Sequence, residues 1–154
     1  MAQAQQSSNL ELNDKWFGVE YEQQGMPVIV RGRRYLKNFV DSNQYNVSVE
    51  ITWLAEISTE SGIPSPEENL FMQEVEEKLV NELEVDLQSI ITLVFITNNE
   101  KSMIFYTKSE QEFFQRFNKV LSNYKRLNIT LERSEDSDWE LYSGILSNYG
   151  LVPE

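Results

Sequence analysis

Residues 90–97, IITLVFIT, are apolar on both strand phases, with Ile90, Val94 and Ile96 on one and Ile91, Leu93 and Phe95 on the other. Alternate residues of a strand point to opposite faces of its sheet. A sheet containing this strand must therefore be covered on both faces, at least locally. The remaining strand patterns ask for less. In VSVEITWLA, Val47, Val49, Ile51 and Trp53 alternate with Ser48, Glu50 and Thr52. In LNITLER, Leu127, Ile129 and Leu131 take the inward phase. Both read as strands with one polar face, as an antiparallel sheet covered by helices on one side allows.

Two further strands precede these. KWFGVEYEQ places Phe17, Val19 and Tyr21 on one side and Gly18, Glu20 and Glu22 on the other. Gln24-Gly25 signals a turn, and MPVIVRGRRY resumes as the second arm of a β-hairpin. Pro27 suits an edge position, because proline cannot donate to a ladder. Residues 37–46 read as a polar loop. A second hairpin joins 90–97 to 102–107 through Asn98-Asn99-Glu100-Lys101.

Three S-x-x-E patterns mark helix starts: Ser65 to Glu68, Ser109 to Glu112, and Ser137 to Glu140. The first has Pro66 at the opening helical position. Its helix runs to about Asp86, with Phe71, Met72, Val75, Leu79, Leu83 and Leu87 forming one apolar stripe and the acids opposite. The second runs to about Tyr124 on Phe113, Phe114, Phe117, Val120 and Leu121. The third spans roughly 138–149, with Trp139, Tyr142, Leu146 and Tyr149 inward and Gly150 as the stop.

The order predicts an α+β fold. An antiparallel sheet carries a ferredoxin-like βαββαβ block, preceded by a β-hairpin and followed by a short C-terminal helix. One domain is expected over 15–150, with a polar N-terminal tail over 1–14 and a C-terminal tail over 151–154. The candidates for covering the second sheet face are the N-terminal hairpin, the C-terminal helix, or a second copy of the chain in a homodimer.

Composition narrows the chemistry. The 154 residues include no histidine and no cysteine. Thiolate and imidazole chemistry are therefore excluded, and with them disulfides, zinc ribbons and Ser-His-Asp catalysis. No glycine-rich phosphate loop is present, and no cofactor is expected. Acidic residues number 25 against 13 basic, for a net charge of −12. Such a field disfavours nucleic acid and anionic membranes and favours a partner with a basic surface. The N-terminal residues lack the basic and apolar regions of a signal peptide, so a cytoplasmic location is expected.

Three groups of residues are candidates for function. Arg31, Arg33, Arg34 and Lys37 form a basic run in an acidic chain, with Arg31 and Arg33 on one strand face. They could hold a carboxylate or phosphate, pair with internal acids, or protect an edge strand. Trp139 and Tyr142 are candidate anchors for a partner or walls of a pocket. Glu74 and Glu77, on the acidic helix, are candidate contacts for a basic partner. The acids at 135–140 lack the spacing of a calcium loop and read as helix capping.

Several motifs in order resemble the bacterial domain-of-unknown-function family 695. They are Trp16 with Tyr21, GMP at Gly25–Pro27 followed by arginines, and V-x-I-x-W at Val49–Trp53. GIPSPEE at Gly62–Glu68, EVEEKLVNEL at Glu74–Leu83, IFYT at Ile104–Thr107 and SDWELY at Ser137–Tyr142 complete the set. NNEKSMIFYT departs from the glycine-rich turn expected at that place. The resemblance implies no activity. It implies a distant association with domains similar to the regulator of ribonuclease activity B, a small acidic protein that inhibits an RNase by binding it. Two readings follow. The first is a non-catalytic acidic interaction domain that restrains a basic partner such as a nuclease or toxin. The second is a site for a small anionic ligand, or an uncharacterised enzyme, between the arginines and the aromatics.

Overall fold

The computed structural model describes residues 10–154. Six strands form one sheet: β1 (Trp16–Gln23), β2 (Met26–Arg33), β3 (Val47–Leu54), β4 (Ser89–Thr97), β5 (Glu100–Thr107) and β6 (Ile129–Glu135). Among the described residues, four helices accompany them: α1 (Lys37–Asp41), α2 (Pro66–Glu84), α3 (Glu110–Leu121) and α4 (Glu140–Asn148). The sheet order is β1-β2-β4-β5-β3-β6, and every neighbouring pair is antiparallel. The strands β3 to β6 occupy one end of the sheet as the contiguous block β4-β5-β3-β6, with β6 at the edge. The hairpin β1-β2 lengthens that block through β4 into a wider sheet.

Both hairpins close through two residues at positive φ, Gln24-Gly25 and Asn98-Asn99. That geometry matches the twist of antiparallel strands. The second turn is tighter than the four-residue loop expected from sequence, so β5 begins at Glu100 and brings Lys101 into the strand.

The helices α2 and α3 lie on one face. Val49, Ile51 and Trp53 of β3 meet Met72, Val75, Leu79 and Leu83 of α2 and Phe113 and Phe117 of α3 there. Ser65 Oγ accepts from the Glu68 amide at 3.2 Å, and Ser109 Oγ from the Glu112 amide at 3.2 Å. The reciprocal halves of these capping boxes are absent, because Glu68 turns to the Glu56 and Ile57 amides and Glu112 to Arg116.

A second core covers the other face over β4 and β5. It joins Ile90, Leu93, Ile104 and Tyr106 to Leu36, Phe39 and Tyr45, and to Trp139, Tyr142 and Leu146 of α4. Two sequence expectations are corrected here. The segment 37–46 is not a polar loop: it contains α1 and buries Phe39 and Tyr45. The N-terminal hairpin does not cover this face but extends the sheet edgewise. Consequently β2 is an internal strand, and Pro27 is tolerated because it lies outside the β2–β4 ladder of Ile29–Gly32 with Ile96–Leu93.

β4 is apolar on both phases because a core covers each of its faces, and its alternation is also interrupted. The register shifts between Ile91 and Leu93, where the Thr92 hydroxyl donates to the Ile104 carbonyl at 2.9 Å. This bulge changes phase. Ile91 and Val94 enter the helix-side core, while Ile90 and Leu93 enter the second. The phases inferred from strict alternation therefore hold on only one side of Thr92.

The tail expected over 1–14 falls in part on residues 1–9, which lie outside the described residues. Of its remainder, Leu10 and Leu12 pack against the second core, and Asn13 donates to the Arg34 carbonyl at 2.9 Å.

Candidate functional site

The basic run resolves into ion pairs. Arg31 and Arg33 both project from β2 toward α2. The Arg31 guanidinium meets the Glu76 carboxylate at 3.0 and 3.1 Å, and Arg33 meets Glu84 at 3.0 Å. Both cations also lie against the Trp16 ring, at 5.4 and 4.9 Å from its centroid. Lys101 reaches Glu76 from β5 at 2.6 Å with its side chain only 2% exposed. Glu76 thus sits between two cations. Burial pushes its pKa up, but Lys101 and Arg31 outweigh this and hold it below the usual carboxylate range. Glu84 also accepts from the Ile91 amide at 2.9 Å. Arg34 leans over the Tyr35 ring and stands 3.9 Å from Glu154. Lys37 pairs with Asp41 one turn on.

A cavity of about 280 Å³ lies beside this network, lined in part by Trp16, Arg31, Arg33, Glu76, Glu77 and Asn81. Its two guanidinium groups already face carboxylates. The edge-protection reading of the basic run is corrected, since β2 has neighbours on both sides.

Trp139 and Tyr142 lie in the second core and are buried, so neither is exposed to anchor a partner. The indole of Trp139 stacks on Tyr106 at 4.0 Å and donates to the Tyr45 carbonyl at 2.8 Å. Tyr142 donates its hydroxyl to the Arg33 carbonyl. Tyr106 donates to the Asp136 carboxylate at 2.6 Å. Burial raises the pKa of all three tyrosines nearby: Tyr45, pushed up to about 12 with Asp86 adding to the effect, Tyr106 and Tyr142. These are hydrogen-bonded core groups, and none opens on a cleft.

The start of α4 also differs from the expected box. Ser137 makes no cap. Trp139 takes the N-cap position at φ 56°, and Asp136 accepts from the amides of Glu140 and Leu141 at 2.8 and 3.1 Å. The capping reading of the acid cluster stands, with Asp136 as the acid that does it.

Glu74 and Glu77 remain on the surface. Glu67, Leu70, Glu74, Glu77 and Asn81 recur at helical steps and form the exposed stripe of α2. Among the described residues, Glu67, Glu74 and Glu77 make no ion pair within 4.0 Å. The Tyr124 hydroxyl donates to Glu74 at 3.5 Å.

Sequence reasoning missed a groove of about 980 Å³ at the N-terminal end of this helix. Its floor is an aromatic row in which Trp53 meets Phe71 edge-on at 5.9 Å and Phe71 meets Tyr124 edge-on at 5.7 Å. Leu54 and Ile57 are exposed apolar residues of its lining, Ile57 at 69%. Glu56, Glu67 and Glu68 also line it, with Glu68 accepting from the Glu56 and Ile57 amides, and so do Lys125 and Arg126 on the turn after α3. The one signal available in sequence was Phe71, assigned to the core stripe although it begins it.

A family model matches residues 14–147. The chain belongs to the family of unknown function DUF695. Comparison with curated proteins returns no match. Membership accounts for the shared order of motifs from Trp16 to Tyr142 and attaches no reaction to them. Among the described residues of this DUF695 domain, no helix is long and apolar enough to cross a membrane.

Proposed function

We propose that this DUF695 domain is a non-catalytic, cytoplasmic protein-interaction module that docks through its acidic helix on a basic partner and restrains it. The observation that carries this reading is the unpaired stripe of Glu67, Glu74 and Glu77 beside the exposed Leu70 and Phe71. Elsewhere the charges of α2 are spent internally: Glu76 and Glu84 pair with the sheet, Glu82 with Lys119, and Asp86 follows the helix in a pair with Arg116. Free carboxylates around apolar side chains supply what a docking surface needs. The charges speed and orient encounter, and the buried anchors contribute most of the affinity. Basic proteins of the nuclease or toxin kind fit this potential.

Four of the perturbed titrating groups, Tyr45, Tyr106, Tyr142 and Glu76, sit in buried, hydrogen-bonded positions, which supports a structural role for them. The test is capture from host extract by the wild-type chain and by the E74K/E77K variant at stepped salt. The wild type is expected to retain one basic protein that elutes with rising salt, and the variant to lose it. Equal retention by both chains, or retention unaffected by salt, contradicts the reading.

A further inference from the structure

The groove differs from the acidic stripe in carrying free cations. Of the 13 lysines and arginines, Arg31, Arg33, Arg34, Lys37, Lys101, Arg116, Lys119 and Arg133 make ion pairs. Lys15, Lys78 and Lys108 lie over the rings of Tyr35, Tyr124 and Tyr45. Among the described residues, only Lys125 and Arg126 have neither kind of partner. They are adjacent, exposed, and on the wall of the groove. The exposed Glu56 and Glu67 line the same groove.

We propose that this groove takes an extended peptide segment of the partner with a dipolar pattern. A bulky apolar side chain packs on Phe71 and Tyr124, acidic residues on one side of it meet Lys125 and Arg126, and basic residues on the other side meet Glu56 and Glu67. Charge complementarity selects this occupant. A purely basic segment leaves Lys125 and Arg126 opposed by like charge, and a purely acidic one meets Glu56 and Glu67 in the same way. Opposed like charges across an interface suppress wrong partners. The floor supplies the apolar pocket that a central anchor requires. The proposal deepens the interaction reading and rests on it, because it specifies the segment by which the partner is held.

The test selects a random peptide library displayed on phage against the full-length chain. Enriched peptides are then synthesised and their binding measured by fluorescence anisotropy with wild type, K125E/R126E and E74K/E77K. The expected consensus has an aromatic or large aliphatic residue with acids on one side and bases on the other. K125E/R126E is expected to weaken its binding by about tenfold or more, as losing two matched charges implies. Both substitutions are on exposed side chains, and unchanged circular dichroism confirms the fold. No enrichment, or an all-basic consensus that binds K125E/R126E as well as wild type, overturns the proposal. An all-basic consensus lost only in E74K/E77K overturns it while leaving the acidic-stripe reading intact, so the two failures are separable.

Discussion

Glu76 holds one carboxylate between the Lys101 ammonium and the Arg31 guanidinium, on the sheet-facing side of α2. Removing it strands Lys101 at 2% exposure with no counter-charge. Breaking a buried pair from one side costs about 3–5 kcal/mol, whereas replacing both partners by apolar groups is often neutral. Urea unfolding of Glu76→Leu is therefore expected to show a loss of that order, and Glu76→Leu with Lys101→Met to recover most of it. An equal loss in the two variants argues against a coupled pair. The same carboxylate, held below its ordinary pKa, contributes stability that is full above the unfolded-state value near about 4 and is lost as pH falls. Asp86 acts in the same direction: its hydrogen bonds from Arg116 lower it to about 2, so its contribution fades over roughly pH 4 to 2. Glu50 has the opposite sign. Partial burial and the facing Glu132 raise its pKa, so the folded state binds this proton more tightly than the unfolded chain does. Its benefit is present in acid and disappears as pH rises through the raised value. Glu50→Gln is expected to stabilise the protein at pH 7 by about 0.2–1 kcal/mol, the range for cross-strand charge pairs, and to have little effect near pH 3. Thermal denaturation at the two pH values reads the difference.

Among the elements, α4 depends most on a single side chain. Asp136 caps its first two amides and accepts the Tyr106 hydroxyl, so it joins helix, sheet and second core. Asp136→Ala is expected to cost about 1–2 kcal/mol for the cap alone, with a further loss from the orphaned Tyr106 hydroxyl. Near-ultraviolet circular dichroism, which reports the Trp139–Tyr106 stack, should change alongside the unfolding midpoint; an unchanged midpoint rules the cap out. This element also shows how far local sequence could be read. The position of α4 and its buried face of Tyr142 and Leu146 followed from helical spacing, but the cap did not. Ser137 and Asp136 are neighbours of equal capping ability, and the choice between them depends on Tyr106, 30 residues away. Likewise α1 is too short for periodicity to separate it from a loop, although Leu36, Phe39 and Tyr45 marked a buried side. Thr92 looked like one polar residue in an apolar strand; only pairing with β5 makes it a bulge. Lys101 was legible in principle, since it shares its phase with Met103 and Phe105, and Glu76 lies within the stripe of Met72, Val75 and Leu79.

At the scale of the molecule, one sheet separates two cores, and the surface features lie toward the α2–α3 side. The antiparallel topology and the helix layer were readable from alternation and capping signals, because these are local. The aromatic groove was not, since Trp53, Phe71 and Tyr124 come from a strand, a helix and a turn far apart in sequence. The division of the acids into those that bind the sheet and those that face water also needed the fold. Glu76 and Glu77 are adjacent in the chain, one buried and one exposed. The account rests on the acidic stripe and the neighbouring groove forming one contact surface. Hydrogen exchange of the chain, alone and with the protein it captures, tests this most directly. The account predicts slowed exchange concentrated in residues 54–58, 67–77 and 123–128, with α4 unchanged. Protection centred on α4 and the second core, with those three segments exchanging as freely as in the isolated chain, would contradict it.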